Sequence, residues 1–311
     1  MPSWSSRTLT ALSLTAAALT AVPAAHAAPR DTAPHAAPPH AIPLVPVEVT
    51  ADGFCAATPD PLAPGPVTFR VSTPVADGRW WSVLRLRGTA TMDQVAAEFG
   101  ASYSTDPAVA LPALRGIYRD VDFNGGASVF PAAPVSVTTH LEPGTYYLSD
   151  TALNGATDGC GGGRTHLQRV QVAEGPRSRH TPLRYNGTVD ARETPAGQRF
   201  AVSPRLSAHA VLRVTDHTRQ PHELIIAAVR PGTTDEDVQA YLDALRKGDT
   251  TSVPDPFGAT AGGMLAISPG HEAIFRIDLK PGRYSLLSFV RNPQTGVKSA
   301  FEGMHTTVTF H

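Results

Sequence analysis

The sequence carries almost no net charge. Its 311 residues include 27 acidic and 26 basic side chains, which leaves a formal net charge of -1. A chain balanced in this way has no broad electrostatic field that would attract nucleic acid or anionic lipid. Of the basic residues, only Lys247, Lys280 and Lys298 are lysines, a bias without functional meaning. We therefore expect no nucleic-acid partner.

The short motifs of several common catalytic sites are also missing. The sequence contains no Gly-x-Ser-x-Gly, no His-Glu-x-x-His and no phosphate-binding loop. His222-Glu223 and His271-Glu272 lack the second histidine of a zinc-binding helix. We therefore predict that the protein is not an enzyme. The alternative is an extracellular enzyme whose site is built from loops 100–130 and 250–272.

No apolar run is long enough to span a membrane. The run from Leu9 to Val22 is modest and diluted by Thr and Ser. With Arg7 before it and Ala25-His26-Ala27 after it, residues 1–27 are typical of a secretory signal peptide. A disordered Ala-rich tail is the alternative interpretation. We expect a secreted, extracellular protein whose mature chain starts at Ala28, without a membrane span.

Cysteine is scarce, with only Cys55 and Cys160. Two cysteines in a secreted chain form a natural pair, although two unpaired thiols remain the alternative. A Cys55–Cys160 disulfide would close a loop of about 105 residues, which the chain-entropy model credits with ~4–5 kcal/mol.

Proline and polar residues divide the chain. Residues 28–45 are rich in proline and alanine and predict an extended linker. Residues 174–187 are polar and predict a second linker. The folded parts predicted between them are 46–173 and 188–311.

Both predicted domains have the pattern of β-structure. Three segments alternate apolar and polar residues, namely Val67–Val71, Val135–Thr138 and Ile274–Leu279, and Trp81–Leu86 and Ala210–Val214 are further predicted strands. Each domain contains one helix signal, a capping box at Thr91-Met92-Asp93-Gln94 and an acidic first turn after Thr234. Of the paired Trp80-Trp81, alternation places one in the core and leaves the other for a surface.

The two domains are predicted to be repeats of one unit. Phe69 and Leu212 correspond at an offset of 143 positions, and the same offset holds from strand into helix. Pro143-Gly144 and Pro281-Gly282 correspond at an offset of 138. A register kept through a strand, a helix and a turn indicates duplication.

Three motifs of the second unit carry a family resemblance: Pro221-His222-Glu223-Leu224, Pro281-Gly282-Arg283-Tyr284, and Gly303-Met304. With the many short strands they resemble the cupredoxin fold, and more closely the secreted cupredoxin-like domains of bacteria. The resemblance covers 188–311 well and 46–173 more weakly. It implies an all-β protein of two tandem cupredoxin-like Greek-key β-sandwiches, each with one short helix.

The resemblance also implies the position of a copper site. A type 1 copper is held by a Cys thiolate, two His and usually a weak axial Met. His222 falls at the first His position and Met304 at the Met position, but Ser288 stands at the Cys position and Ser299 at the second His position. In the first unit Arg79 stands at the His222 position and Asp150 at the Ser288 position. The two cysteines are expected at the end where the metal would lie.

Serine is a poor ligand for soft copper. The resemblance therefore implies a degenerate copper site, and we predict that neither unit is a blue-copper electron carrier. We predict no cofactor and a binding or structural role towards an unknown extracellular protein or cell-surface ligand. The alternative is a copper-binding or trafficking protein that holds weak copper through His222, Met304 and His305, with Met264 or His271 as further candidates.

Overall fold

The computed structural model describes residues 42–131, 133–150, 153, 155–158, 163–175, 183–249 and 251–311. Residues 39–311 form one compact unit. The predicted signal peptide, and the predicted linker up to residue 41, lie outside the described residues.

The first half of the chain contributes nine strands and two α-helices among the described residues. They are β1 (Leu44–Thr50), β2 (Gly53–Ala56), β3 (Gly65–Ser72), β4 (Arg79–Leu86), α1 (Met92–Ser102), α2 (Pro107–Asp120), β5 (Val121–Val129), β6 (Val135–Leu141), β7 (Gly144–Ser149), β8 (Thr157–Asp158) and β9 (Leu167–Val172).

The second half repeats this order with one α-helix and one short 3-10 helix. Its elements are β10 (Gly187–Thr194), β11 (Gly197–Val202), β12 (His209–His217), β13 (His222–Val229), α3 (Asp235–Arg246), β14 (Phe257–Ile267), β15 (Glu272–Asp278), β16 (Gly282–Leu287), the 3-10 helix (Ser299–Glu302) and β17 (His305–Phe310).

Strand pairing is also repeated between the halves. β1 runs parallel to β3 as β10 runs parallel to β12, and β4 lies between β5 and β7 as β13 lies between β14 and β16. The same sequence pattern therefore forms the same pairing twice, as the register of the repeat predicts.

The halves share both of their sheets. One sheet has the order β11-β10-β12-β15-β6-β3-β1-β2, and the other β17-β16-β13-β14-β5-β4-β7-β9-β8. The junctions are antiparallel pairs of equivalent strands, β6 with β15 and β5 with β14. At the first junction Val137 pairs with Phe275, and these two residues are equivalent at the offset of 138. The strands therefore meet around an approximate two-fold axis.

Two equivalent glycines lie in the strands of the second junction. A Cβ on Gly126 would lie 2.1 Å from the carbonyl oxygen of Trp81, and a Cβ on Gly263 would lie 2.5 Å from that of Leu224. Trp81 and Leu224 are equivalent at the offset of 143, so both halves need glycine at the same close approach of backbones. The residues after these glycines, Ala127 and Met264, pair with each other across the junction.

One main core lies between the sheets and takes residues from both halves. Its largest fully buried side chains include Phe54, Phe69, Trp81, Tyr146 and Phe275. Two smaller clusters lie on the other face of the nine-stranded sheet, one under α1 and α2 and one under α3. Burial on both faces explains why β13 is apolar from Leu224 to Val229.

The all-β prediction is confirmed, since two sheets with three helices make up the described fold, and the repeated strand order is consistent with cupredoxin-like sandwiches. The prediction of one helix in each half is wrong for the first half. Asp106 caps α2 by accepting from the N–H of Ala108, and Pro107 occupies its first turn. Pro112 lies inside α2 and interrupts the helical pattern of residues 100–130, which the sequence analysis assigned to a loop.

The two predicted capping sites behave differently. At α3 the box is closed, because Thr234 accepts from the N–H of Asp237 and Asp237 accepts from that of Thr234. At α1 the Thr91 hydroxyl accepts from the N–H of Gln94, but the Gln94 side chain donates to Glu98 and Asp120. The predicted reach of Gln94 back to the cap is therefore wrong, because its side-chain amide is turned so that it donates to two carboxylates.

The predicted domain limits stay predictions. β1 begins at Leu44 and β10 at Gly187, each at the end of a predicted linker. None of the helices within the described ranges combines the length and apolar content needed to cross a bilayer.

Candidate functional site

The four positions aligned with a copper site converge at one end of the second half. His222 begins β13, Ser288 follows β16, and Ser299 and Met304 flank the turn before β17. The N–H of Ser288 donates to the carbonyl of Met304 at 3.2 Å, and the N–H of Met304 donates to that of Ser299 at 2.9 Å. The segments that would carry copper ligands are therefore brought together here without the thiolate.

Both ring nitrogens of His222 are engaged. Nδ1 lies 3.0 Å from the Ser288 hydroxyl and Nε2 lies 2.9 Å from the amide oxygen of Gln198. An amide oxygen only accepts, so Nε2 carries the proton and Nδ1 accepts from Ser288. Burial lowers the pKa of His222 to about 4, so the ring is neutral at physiological pH.

The hydroxyl of Ser299 is satisfied in the same way. It accepts from the Gln220 side-chain amide at 2.9 Å and donates to the carbonyl of Val290 at 2.9 Å. Both serines at the positions aligned with copper ligands therefore hold fixed hydrogen bonds in a buried network.

Of the other candidate ligands, Met304 lies beside this network, whereas His305, His271 and Met264 have other surroundings. Met304 is buried beside Ser288, but His305 directs Nε2 to the Gln239 side chain of α3 at 2.9 Å. Burial lowers the pKa of His305 as well. His271 lies 3.3 Å from Asp122 of the first half, and Met264 lies in the main core.

His222 and His305 therefore have separate hydrogen-bond partners. Within the described ranges no group of three or more His, Cys, Asp or Glu side chains is arranged to hold a metal ion. The assignment of His222, Met304 and His305 as weak ligands stays a prediction.

The equivalent positions in the first half resemble a metal site even less. Arg79 donates to the carbonyls of Thr50 and Gly78, and the Asp150 carboxylate pairs with His166 Nδ1 at 2.9 Å. The sequence analysis did not identify His166 as the partner of Asp150, because sixteen residues separate them in the chain.

Cys55 lies in β2, next to a backbone bridge between Phe54 and Thr165. This bridge holds β2 against the segment that precedes β9, the segment that also carries Cys160 in the sequence. Cys160 itself lies outside the described residues, so the Cys55–Cys160 disulfide stays a prediction.

A small polar pocket lies over the His222 network. It has a volume of about 450 Å³ and is lined by Gln198 and Gln220, with Glu193 and Glu302 among its acidic residues. Gln198 thus contacts both the pocket and His222, which places the imidazole one layer below the pocket.

A larger groove of about 840 Å³ lies on the outer face of the nine-stranded sheet. Helices α1 and α2 form one wall and the segment after β16 forms the other. Trp80 and Tyr103 contribute exposed rings, with 47% and 79% of their surface accessible. Trp81 is fully buried, which confirms the prediction that one of the two tryptophans lies in the core and the other at a surface.

Glu223 lines this groove, next to His222 in the sequence but on the opposite face of β13. Its carboxylate accepts from the N–H of Phe289 at 2.9 Å. Burial raises the pKa of Glu223 to about 7, and the charge of Lys298 opposes part of that rise. Tyr118 of α2 donates its hydroxyl to the carbonyl of Arg291 at 2.6 Å, and burial raises its pKa.

Two cations also line the groove. The Lys298 ammonium lies 5.4 Å from the centre of the Phe289 ring, and Arg291 donates to the carbonyls of Gly296 and Ser102. Among the described residues no carboxylate lies within ion-pair distance of either cation. Sequence spacing does not place Glu223, Arg291 and Lys298 in one groove, because nothing in it indicates that α2 packs beside them.

No protein-family model matches the chain, and no curated protein matches it. Solved structures provide the similarities. Reduced auracyanin from the photosynthetic bacterium Roseiflexus castenholzii is 18% identical with a TM-score of 0.24, over 40% of this chain and 94% of that one.

Two oxidases match over a longer stretch. The blue copper oxidase from Nitrosomonas europaea is 13% identical with a TM-score of 0.21, over 86% of this chain and 85% of that one. The McoA multicopper oxidase from Aquifex aeolicus is 9% identical with a TM-score of 0.24, over 88% of this chain and 66% of that one. The fold described above rests on the strand pairing of this chain itself.

Proposed function

We propose that this protein is a secreted, non-enzymatic binding or structural module that has no type 1 copper centre. The observation that carries the proposal is the state of His222, whose two ring nitrogens already bind Ser288 and Gln198. The partner of the whole protein is an extracellular protein or a cell-surface ligand.

The chemistry of the site supports this proposal. A thiolate is the ligand that binds soft copper strongly, and Ser288 offers a hydroxyl in its place. Copper entry would also break the bonds from Ser288 and Gln198 and leave buried polar groups unpaired, which costs about 1–3 kcal/mol for each group. The network therefore replaces the metal as the link between β13 and the segment before β17.

Metal analysis tests this proposal. The full chain is purified without chelator, its copper content is measured, and its visible spectrum is recorded after addition of Cu(II). We expect copper well below one equivalent and no intense thiolate-to-copper absorption band. Stoichiometric copper that is lost in His222→Ala, but retained in the surface variant His209→Ala, would instead support the copper-binding alternative through His222, Met304 and His305.

The enzyme alternative has one observation in its favour. The groove is lined by Tyr118 of α2, Phe123 of β5 and Leu265 of β14, around the Glu223 carboxyl. Residues 100–130 and 250–272 therefore meet there, but through a helix and strands rather than through the predicted loops. A carboxyl group whose pKa lies near neutrality suits general acid or base catalysis. Turnover of a panel of chromogenic esters and glycosides that disappears in Glu223→Gln would support this alternative, and we expect none.

Secretion is tested separately. We expect the exported chain to begin at Ala28 when its N-terminus is sequenced. A mature protein that retains residues 1–27 would contradict the predicted signal peptide.

A further inference from the structure

The groove on the outer face of the nine-stranded sheet combines aromatic walls with unpaired positive charge. We propose that it binds an amphipathic anion, a small molecule with a flat or chain-like apolar body and one carboxylate or sulfonate head. This inference rests on the binding role proposed above and adds a small-molecule ligand to the protein or cell-surface partner proposed there.

The walls favour an apolar body. Aromatic rings reach the groove from five separate elements: Trp80 from β4, Phe99 from α1, Tyr118 from α2, Phe123 from β5 and Phe289 from the segment after β16. A volume of about 840 Å³ lies within the range of small-molecule sites, which is roughly 300–1,000 Å³. Exposed aromatic rings gather in such sites because they bind ligands with little loss of side-chain entropy.

The charges favour an anionic head. Lys298 and Arg291 line the groove, and neither forms an ion pair with a carboxylate of the described residues. Of the acidic residues in the lining, Asp150 is paired with His166, and burial raises the pKa of Glu223 to about 7, so its carboxyl is mostly neutral at pH 6. The charge left without a partner is therefore positive, and an anion complements it.

The geometry gives the ligand a direction and a length. Lys298 lies over Phe289 beside β13, whereas Trp80 lies on β4. The strand order β13-β14-β5-β4 places these ends three strand spacings apart, or about 14 Å. The head group therefore lies at Lys298 and the apolar body extends towards Trp80.

A pair of dyes that share one aromatic body tests the proposal. 8-Anilinonaphthalene-1-sulfonate carries a sulfonate, and N-phenyl-1-naphthylamine is its neutral counterpart. Binding of both to the full chain is measured by fluorescence titration at pH 6 and low salt. We expect the sulfonate to bind roughly tenfold more tightly than the amine, a ratio typical of one good charge contact.

Variants locate the site. Lys298→Met is expected to remove most of the preference for the sulfonate, whereas Trp80→Ala is expected to weaken both dyes by roughly tenfold. Lys280→Met is the matched control, since Lys280 is exposed in the turn before β16 and does not line the groove. It should leave both affinities unchanged. Dodecanoate should displace the sulfonate dye, and dodecyltrimethylammonium should not.

Three results would overturn the inference: no binding of either dye, equal affinity for both, or equal effects of Lys298→Met and Lys280→Met. Copper content is measured on the same samples. Stoichiometric copper would overturn the proposed function whatever the dyes do, whereas a failed dye experiment on copper-free protein contradicts only the ligand class.

Discussion

His222 and Glu223 are adjacent residues with opposite responses to pH. Their side chains leave β13 on opposite faces, His222 into the hydrogen-bond network and Glu223 into the groove. Burial disfavours the charged form of both groups, so it lowers the pKa of His222 to about 4 and raises that of Glu223 to about 7. The two shifts change the free energy of unfolding with pH in opposite directions, so they partly cancel in the native protein. Substituting one residue at a time separates them.

His222→Gln is expected to remove an acid-sensitive contribution. The pKa of His222 is depressed in the folded state, so the folded protein binds fewer protons than the unfolded chain between pH 4 and 6.5. This contribution is complete above pH 6.5 and is lost as the pH falls through 4. Relative to the variant, the wild type should lose roughly 3 kcal/mol of unfolding free energy across that window, measured by urea titration.

Glutamine keeps a donor and an acceptor for Ser288 and Gln198 but does not titrate, so it isolates the effect of protonation. Parallel stability curves for the two proteins from pH 4 to 7 would contradict a buried neutral imidazole.

Glu223→Gln is expected to act with the opposite sign. The folded state holds its proton up to a pH of about 7, whereas the unfolded chain releases it near 4.5. The wild type therefore loses stability as the pH rises from 4.5 to 7. The variant should match the wild type at pH 4 and exceed it at pH 8 by about 2 kcal/mol, a figure reduced for the partial exposure of Glu223.

Urea titrations at pH 4, 6 and 8 measure this difference. Asp52→Asn serves as the control, because Asp52 is exposed in the turn between β1 and β2 and does not line the groove. A Glu223→Gln variant that is less stable than the wild type at pH 8 would show that the carboxylate is ionised and well solvated.

At the scale of elements, the predicted disulfide would tie β2 to the segment before β9. The Phe54–Thr165 bridge already holds these two segments together. Cys55→Ser with Cys160→Ser is expected to lower the free energy of unfolding by roughly 4 kcal/mol, as the chain-entropy model gives for a loop of about 105 residues. Intact-mass measurement before and after reduction checks the bond itself. Two free thiols in the exported protein would refute the pairing.

The elements differ in how far sequence predicts them. β3, β6 and β15 alternate because one face is buried, and the alternation alone locates them. Helix α2 was missed because Pro107 and Pro112 resemble breakers, although one occupies the first turn and the other interrupts the pattern from within. Patterns of one residue type over a short window do not distinguish a proline that starts a helix from one that ends it.

The two candidate sites also differ in how far the sequence predicts them. The convergence of His222, Ser288, Ser299 and Met304 follows from the aligned motifs. Their hydrogen-bond partners Gln198 and Gln220 are not indicated by any motif. The groove brings Tyr118 within hydrogen-bonding distance of Arg291, 173 positions later in the chain, and depends on a helix that was not predicted. Without a prediction of α2, no spacing in the sequence places Glu223 and Lys298 in one cavity.

At the scale of the whole molecule, the two halves share sheets as well as a core. The Val137–Phe275 and Ala127–Met264 pairs join equivalent strands, so neither half ends in a free edge at the junction. A half on its own would expose β14 and β15 as unpaired edges beside an apolar face, which favours association. Duplication therefore covers two edges that one unit would leave open.

Thermal unfolding is expected to show a single cooperative transition for residues 42–311. Phe69→Ala in the first half and Phe275→Ala in the second each remove a fully buried ring from the shared core, at a cost of about 3–5 kcal/mol. Both substitutions should shift the same transition, because neither half keeps its packing when the other unfolds. Calorimetry, with circular dichroism and tryptophan fluorescence as coincident probes, measures this. Two resolved transitions, of which Phe275→Ala moves only one, would mean that the halves fold as independent domains on either side of residues 174–187 and that the strand pairs at the junction contribute little.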